Sequence, residues 1–303
     1  MAGHLHSPPP RTDHDADLKD LTRTPFRIVR PPKQTAPFVV ASPHSGRMYP
    51  RSFLARTQLP FDILRRSEDA FVEQLFSSVV ELGAPLIVAS FPRAYLDVNR
   101  APTEFDAAMF DAPLPFVVDA ASPRVHAGLG VIPRIVREGS EIYDRKLPAA
   151  EAITRYTQFY QPYHAGLAAL VEETAAAFGV SVVIDCHSMP SAAAVPDIVL
   201  GDRYGLSASS ILVRTAEEAF ERQGFSVARN APYAGGYTTQ RHGHPGRNRH
   251  ALQIELNRAL YMNEEQVVPN AQFPRVKSRL NAALRQLLSI DPARLAPLRH
   301  AAE

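Results

Sequence analysis

The chain has 303 residues, of which 45% are hydrophobic and 21% charged, a composition typical of a globular protein with one large core or two modest ones. The formal net charge is only +2 and both signs are mixed along the chain, so we expect neither a nucleic-acid nor a membrane partner. No apolar run approaches the roughly 18 residues of a membrane span. Residues 1–20 contain no apolar segment of the secretory type, and the single cysteine, Cys186, excludes an intrachain disulfide. These features predict a cytoplasmic protein.

The N-terminal segment differs in composition from the rest of the chain. Residues 1–36 combine charged residues with Pro8, Pro9, Pro10, Pro25, Pro31 and Pro32. Such a stretch buries little apolar surface, and we predict a flexible tail. Beyond it we find no internal repeat and no clear linker, so residues 37–303 are predicted to form a single domain.

The first half of this domain begins with a strand and tight loop in "PFVVASPHSG". Apolar residues near a 3.6-residue period then predict one helix over residues 61–83, ending at Gly83. "APLIVAS" is a predicted strand, and "AYLDVNR" a second strand or its edge. Residues 103–148 are rich in proline, with weak strand signals in "PFVVDA" and "LGVIPRIV", and we expect a long excursion that lines a pocket.

The second half alternates strands and helices more regularly. A long helix is predicted over residues 149–179, kinked at Pro162, and is followed by the strands "VSVVIDC" and "PDIVLG". A helix capped by Ser207 and stopped by Gly224, the strand "ALQIEL" and a closing helix complete the pattern. This alternation predicts the α/β class, a three-layer α/β/α sandwich around a mixed, mainly parallel sheet.

Two histidines lie at strand-to-loop transitions, where α/β proteins bind ligands. His44 follows the first strand and His187 a central one, and a zinc site needs a third ligand. The carboxylates of Glu68 and Asp69 are adjacent on the predicted helix, so only one of them faces a metal. We prefer Asp69 and keep Glu68 as the alternative. The competing interpretation is that these histidines are structural and that the acids suit a helix N-terminus.

Glu255 stands between Ile254 and Leu256 in a predicted strand. A buried acid is costly unless it is paired or used, which makes Glu255 a candidate general base beside a metal-bound water. The alternative is an ion pair with Arg249 or Arg258.

Two further groups could contact a substrate. Asn99 and Arg100 suit a substrate carboxylate, because arginine binds carboxylates through two hydrogen bonds, although they could equally tie down a loop. Gly235 and Gly236 allow a ligand to approach the backbone closely, unless the segment is an exposed basic loop. Cys186 is expected in the core.

Several longer stretches form an ordered set between residues 38 and 265. They are "SPHSGRMYP", "RRSEDAFVEQLF", "FPRAYLDVNRAPTEFD", "GLGVIPRIV", "QPYHAGL", "VIDCHSMPS", "PDIVLGDRYG" and "GGYTTQRHGHPGRNRHALQIELNRALYMNE". Together they resemble the N-formylglutamate amidohydrolase family. The resemblance implies a zinc hydrolase with a metallocarboxypeptidase-like fold that removes formate from N-formyl-L-glutamate, a late step in one route of histidine breakdown.

The resemblance also implies roles for individual residues. One Zn²⁺ is bound by His44, His187 and either Asp69 or Glu68, Glu255 is the base, and Asn99 and Arg100 bind the substrate carboxylate. Beyond the resemblance, we expect Asp185 and Ser188 to support His187, and Arg93 or Arg241 to steady the oxyanion. One departure is Arg47, which stands where relatives often place the acidic ligand, three residues after the first histidine.

Two other functions stay open. A related zinc amidohydrolase could act on another N-acyl amino acid or peptide, which a substrate panel distinguishes. A non-catalytic relative could bind metal or an acidic metabolite, but it is expected to lack Glu255 or a histidine ligand, and this chain retains them.

Overall fold

The computed structural model describes residues 14–136, 139–192 and 195–295. Its α-helices are α1 (His14–Arg23), α2 (Arg51–Leu54), α3 (Phe61–Arg65), α4 (Val72–Leu75), α5 (Pro123–His126), α6 (Ala149–Arg155), α7 (Gln161–Phe178), α8 (Ser210–Glu221), α9 (Tyr237–His242) and α10 (Phe273–Leu288). Its strands are β1 (Phe26–Val29), β2 (Phe38–Ser42), β3 (Leu86–Ala89), β4 (Ser181–Met189), β5 (Ile198–Gly201), β6 (Val227–Arg229), β7 (Arg249–Asn257), β8 (Met262–Asn263) and β9 (Val268–Pro269).

Seven strands form one mixed sheet in the order β1-β3-β2-β4-β7-β5-β6. The four neighbours β3, β2, β4 and β7 run parallel, whereas β1 is antiparallel to β3 and β5 is antiparallel to β7. Every residue of β2 and β4 is buried, as expected for parallel strands covered on both faces. The predicted mixed, mainly parallel sheet is confirmed.

Alternation along the strands divides the apolar side chains between two cores. Val40 and Ile184 face a core that includes residues of α4, α8 and α10. Val39 and Val183 face the other core, which includes residues of α1, α2 and α7. Helices therefore cover both faces of the sheet, which confirms the three-layer arrangement. Cys186 lies in the first core, as expected, and burial raises the pKa of its thiol.

The single helix predicted over residues 61–83 is wrong, because the chain breaks it between α3 and α4. Phe71 has a left-handed backbone with φ of 67°, and the N–H of Asp69 donates to the carbonyl of His44 at 3.0 Å instead of continuing a helix. Gly83 ends the segment with φ of 90°, as predicted. The break brings residues 66–71 to the end of β2.

The strand predicted in "AYLDVNR" is also wrong. Residues 93–100 form turns, and the N–H of Asp97 donates to the carbonyl of Val131 at 2.8 Å. The weak signals in "PFVVDA" and "LGVIPRIV" contribute no strand to the main sheet within the described residues. Polar bonds from Asp97 and its neighbours therefore outweigh the local apolar pattern.

The flexible tail predicted for residues 1–36 is wrong for its second half. β1 pairs with β3 at the edge of the sheet, and Leu21 of α1 is 1% exposed in the core. The alternation of Phe26, Arg27 and Ile28 suits an edge strand, whose outer N–H groups need no partner in the sheet. Residues 1–13 lie outside the described residues.

The helix predicted over residues 149–179 is confirmed with one departure. α6 continues into α7 through a π-helical segment, Tyr156–Tyr160, that lies just before Pro162. Proline has no N–H and its ring crowds the preceding turn, which accounts for a widened turn at this place. Gly179 ends α7 in the left-handed conformation with φ of 72°.

The helix predicted from Ser207 is α8, but its N-cap is Ser209. The hydroxyl oxygen of Ser209 accepts from the N–H of Leu212 at 3.3 Å, whereas Ser207 donates to the carbonyl of Ala251 at 2.9 Å. The stop at Gly224 is as predicted, with φ of 78°. Among the helices of the described ranges, none has both the length and the apolar character needed to cross a membrane.

His164 on α7 makes the stability of the fold depend on pH. Its side chain is buried, and Nε2 donates to the carbonyl of Val98 at 2.9 Å. Burial lowers its pKa from 6.5 to about 3, so the folded protein keeps the ring neutral while the unfolded chain protonates it below pH 6.5. This contribution to stability is complete above about pH 6.5 and is lost toward pH 3, at up to about 1.4 kcal/mol per pH unit.

We expect His164→Gln to remove this part of the pH dependence. Between about pH 7.5 and about pH 5.5, the difference in free energy of unfolding between the unaltered protein and the variant should shrink by about 1 kcal/mol. Urea unfolding of both metal-free proteins at the two pH values measures this difference. Parallel pH profiles would contradict the assignment.

Candidate metal centre and pocket

Three elements bring the predicted ligands together at one end of the sheet. His44 follows β2, and His187 lies near the end of the adjacent β4, which extends to Met189 rather than ending before the histidine. The two imidazole rings have centroids 4.7 Å apart. Asp69 lies in the turn between α3 and α4, and its N–H bond to His44 holds that turn against the sheet.

These side chains form a compact buried cluster. Asp69 Oδ2 lies 2.9 Å from His187 Nδ1 and 3.4 Å from His44 Nδ1, and one ligand atom from each residue lies within 4.8 Å of the others. His44 Nδ1 is buried and has no hydrogen-bond partner among the described residues. Two imidazoles and one carboxylate suit a catalytic zinc, which would also satisfy this nitrogen. The residues present fit a metal ion.

A second carboxylate orients each imidazole. His44 Nε2 lies 2.7 Å from Asp97 Oδ1, and His187 Nε2 lies 3.0 Å from Asp185 Oδ2. For His44, donation from Nε2 to Asp97 leaves the lone pair of Nδ1 facing the cluster, whereas His187 Nε2 also lies 3.0 Å from Asn99 Nδ2. Burial alone would raise the pKa of Asp97, but Arg100, His44 and Arg93 hold it well below its usual range.

The carboxylate of Asp69 is held from its other side. Asp69 Oδ1 accepts from Arg258 Nη2 at 3.0 Å and from the Ser188 hydroxyl at 3.3 Å. Burial would raise the pKa of Asp69, but the neighbouring His187 and His44 side chains keep it well below the ordinary value. Asp69 is therefore held in place as a carboxylate within the cluster, and Ser188 has the supporting position expected of it.

Glu68 does not join the cluster. It is buried, but its carboxylate accepts from the Tyr49 hydroxyl at 2.8 Å and from Arg65 Nε at 3.1 Å. Because the helix breaks at this point, the two adjacent acids face different surroundings. The alternative assignment of Glu68 as metal ligand is therefore wrong.

Glu255 lies beside the cluster on β7, paired in register with His187 on β4. Its side chain lines the pocket, and its Oε1 accepts from Gln253 Nε2 at 2.9 Å. Burial raises the pKa of the Glu255 carboxyl to about 7, within the range useful for a general base. The predicted alternative partners are engaged elsewhere, Arg249 with Glu172 and Arg258 with Asp69.

Asn99 and Arg100 line the pocket, but the structure uses their polar atoms internally. Asn99 Nδ2 donates to Asp185 at 3.1 Å, and its Oδ1 accepts from the N–H of Thr238 at 2.8 Å. Arg100 donates to the carbonyls of Leu129 and Asn99 and lies 3.3 Å from Asp97. The two residues position the carboxylates behind the histidines, which differs from the predicted binding of a substrate carboxylate.

Gly235 and Gly236 also line the pocket, but the close approach at Gly236 is to the protein itself. A Cβ at Gly236 would lie 2.4 Å from the amide of Asn99, and the Gly236 N–H donates to Gln253 Oε1 at 2.9 Å. Gly235 has φ of 120°, where a side chain is strained. These glycines let the loop pack against Asn99.

The two arginines proposed for the oxyanion have different surroundings. Arg93 lines the pocket, and its Nε donates to Asp97 at 2.9 Å. Arg241 is exposed and donates to the Tyr237 hydroxyl at 3.1 Å. Arg241 points away from the buried residues of α9, which include His242, and does not line the pocket. The assignment of Arg241 is wrong.

The pocket beside the cluster has a volume of about 610 Å³, within the usual range for small-molecule sites. Leu129 and Val136 of the excursion line it, as predicted. Sequence reasoning missed several further lining residues with polar side chains, among them Arg66, Ser67, Arg124, Tyr233 and Gln253. Gln253 could have been found from its position two residues before Glu255, but no local pattern distinguishes Arg66 or Arg124.

Fold and site together indicate a class of protein, the α/β hydrolytic enzymes, with a cluster that fits a metal at the carboxyl ends of parallel strands beside a buried glutamate. A narrower identification comes from comparison with known proteins. The chain belongs to the N-formylglutamate amidohydrolase family, whose model matches residues 36–262. The resemblance noted in the sequence is thereby confirmed.

Individual relatives agree with this membership. The chain is 28% identical over 238 residues to N-formylglutamate deformylase of Pseudomonas putida, covering 75% of this chain and 82% of the relative. It is 29% identical to the deformylase of Pseudomonas aeruginosa, covering 73% and 79%. The crystal structure of N-formylglutamate amidohydrolase from Ralstonia eutropha JMP134 superposes with a TM-score of 0.81 at 36% identity, covering 87% of this chain and 96% of that one.

A pair of adjacent variants tests the ligand set. We expect Asp69→Asn to weaken zinc binding by more than about 100-fold, because the amide removes the charge of a ligand. Glu68→Gln, one residue away, should still bind about one equivalent of zinc. Zinc content after dialysis against a weak chelator measures both. Equal zinc content in the two variants would contradict Asp69 as the ligand.

Proposed function

We propose that this protein hydrolyses the formyl amide of N-formyl-L-glutamate to formate and L-glutamate at a zinc centre formed by His44, Asp69 and His187. The observation that carries the proposal is the buried cluster of these ligands beside Glu255 in one pocket. Family membership and the names of the relatives support the substrate. In the family this reaction serves histidine breakdown, and we propose the same use here.

A zinc ion at this centre would polarise the formyl carbonyl and lower the pKa of a water molecule. The protein supplies the orientation. Asp97 and Asp185 fix the two imidazoles, and Arg258 fixes Asp69. Because these partners are themselves buried, the site needs little reorganisation during the reaction.

Glu255 is the proposed proton carrier. Its carboxylate takes a proton from the attacking water and delivers it to the nitrogen of the departing glutamate. Burial favours this exchange, because it brings the carboxyl pKa to about 7 rather than the usual 4.5. Arg93, held by its bond to Asp97, is the proposed donor to the developing negative charge on the carbonyl oxygen.

Formate release from N-formyl-L-glutamate tests the reaction and the metal together. We expect activity in the purified protein, loss of activity on chelation and recovery when zinc is restored. The reason is that chelation removes the metal ion that acts as the electrophile. A panel of other N-formyl and N-acetyl amino acids tests the related amidohydrolase activities. Zinc-loaded protein that releases no formate from N-formyl-L-glutamate would contradict the proposed substrate.

Glu255→Gln tests the proton carrier. The amide keeps the shape of the side chain but cannot accept a proton, so we expect kcat to fall by roughly 10²- to 10⁴-fold. Zinc content should be unchanged, because Glu255 is not among the proposed ligands. Glu172→Gln, an exposed glutamate on α7, is the matched control and should retain activity. Full turnover in Glu255→Gln would remove this residue from the mechanism.

A further inference from the structure

The pocket contains more positive than negative side chains. Its charged lining residues are Arg66, Arg93, Arg100, Arg124 and Arg258 against Asp69, Asp97 and Glu255. Most of these arginines form ion pairs with the carboxylates of the pocket. Arg93 and Arg100 contact Asp97, and Arg258 contacts Asp69.

Arg66 has no such carboxylate partner among the described residues. No described residue forms a hydrogen bond or ion pair with its guanidinium, and its Nε is buried without a partner. A buried donor left unpaired destabilises the free protein, so a ligand that accepts from it recovers that loss on binding. Arg66 therefore has the character of a binding residue rather than a structural one.

The backbone holds Arg66 in a fixed relation to the metal ligand. Arg258 Nη1 donates to the Arg66 carbonyl at 3.0 Å, while Nη2 of the same guanidinium donates to Asp69 Oδ1 at 3.0 Å. One turn thus presents both a metal-ligating carboxylate and an uncommitted arginine to the pocket. A group bound by Arg66 is positioned relative to the reacting centre.

We infer that Arg66 binds the side-chain carboxylate of an acidic N-acyl amino acid and determines the preference for dicarboxylic substrates. The inference rests on the proposed function for the reacting amide. Guanidinium and carboxylate match as a planar pair with two hydrogen bonds. A neutral side-chain amide in the same place offers only one acceptor oxygen and no charge, so the arginine discriminates against it.

Arg124 is a weaker candidate for this role. Its side chain is 41% exposed and lies 3.6 Å from Glu104, so water and an acid already compete for it. Charge–charge contacts in such exposed positions contribute little.

Two variants and two substrates test the inference. Arg66→Met removes the charge at similar length, and Arg66→Lys restores a charge without the planar pair. We expect Arg66→Met to lower kcat/KM for N-formyl-L-glutamate by roughly 10- to 100-fold, mainly through KM, and to leave that for N-formyl-L-glutamine within about threefold. Arg66→Lys should recover part of the loss. An equal loss for both substrates, or no loss for either, would overturn the inference.

Two further arginines serve as comparisons. Arg214→Met removes an exposed arginine of α8 and should leave both substrates unaffected. Arg124→Met removes the arginine nearer to solvent. A selective loss for the glutamate substrate in Arg124→Met but not in Arg66→Met would overturn the assignment to Arg66.

Calorimetric titration with glutarate and butyrate gives a readout that needs no turnover. We expect the zinc-loaded protein to bind glutarate more tightly than butyrate, and Arg66→Met to lose this preference. If formate is never released but the preference depends on Arg66, the proposed reaction fails and the inference stands. If formate is released and Arg66→Met changes neither binding nor KM, the inference fails and the reaction stands.

Discussion

A carboxylate that is 1% exposed, as Asp69 is, stays ionised only where donors and positive groups surround it. His44 and His187 reach it from neighbouring parallel strands, and Arg258 reaches it from the turn after β7. This requirement explains the break in the helix before Phe71, since a continuous helix would give up the bond between the Asp69 N–H and the His44 carbonyl. Removing any one of these partners would leave the buried charge less well compensated, so the residues of the centre depend on one another.

Asn99 connects this centre to a more distant part of the chain. Its backbone N–H donates to Asp97, its side-chain Nδ2 donates to Asp185, and its side-chain Oδ1 accepts from the N–H of Thr238 at the start of α9. One side chain therefore connects the two carboxylates that orient the imidazoles with a loop more than a hundred residues away in sequence. The absence of a side chain at Gly236 makes this connection possible, because that loop packs directly on the amide.

Much of this could be predicted from sequence, for identifiable reasons. Buried parallel strands are continuous apolar runs, so polar residues at their ends, such as His187, are conspicuous. Glu255 stood out because an acid between two apolar residues needs a purpose. The predictions that failed were those that depend on tertiary structure. Nothing local distinguishes Arg241 from Arg66, because helix phase and the direction of a turn decide which arginine faces the pocket. The apolar period of residues 61–82 likewise hides the reversal at Phe71.

The short strand β1 has a consequence for the solubility of the folded chain. The neighbouring strand β3 is buried along its whole length and consists of the apolar residues of "LIVA", a segment prone to pair with strands of other molecules when its edge is open. β1 occupies that edge, presents Arg27 to solvent, and is followed at once by Pro31 and Pro32, which cannot donate to an added strand. β1 and the two prolines thus give the sheet a short, charged edge that disfavours pairing with the sheet of another molecule.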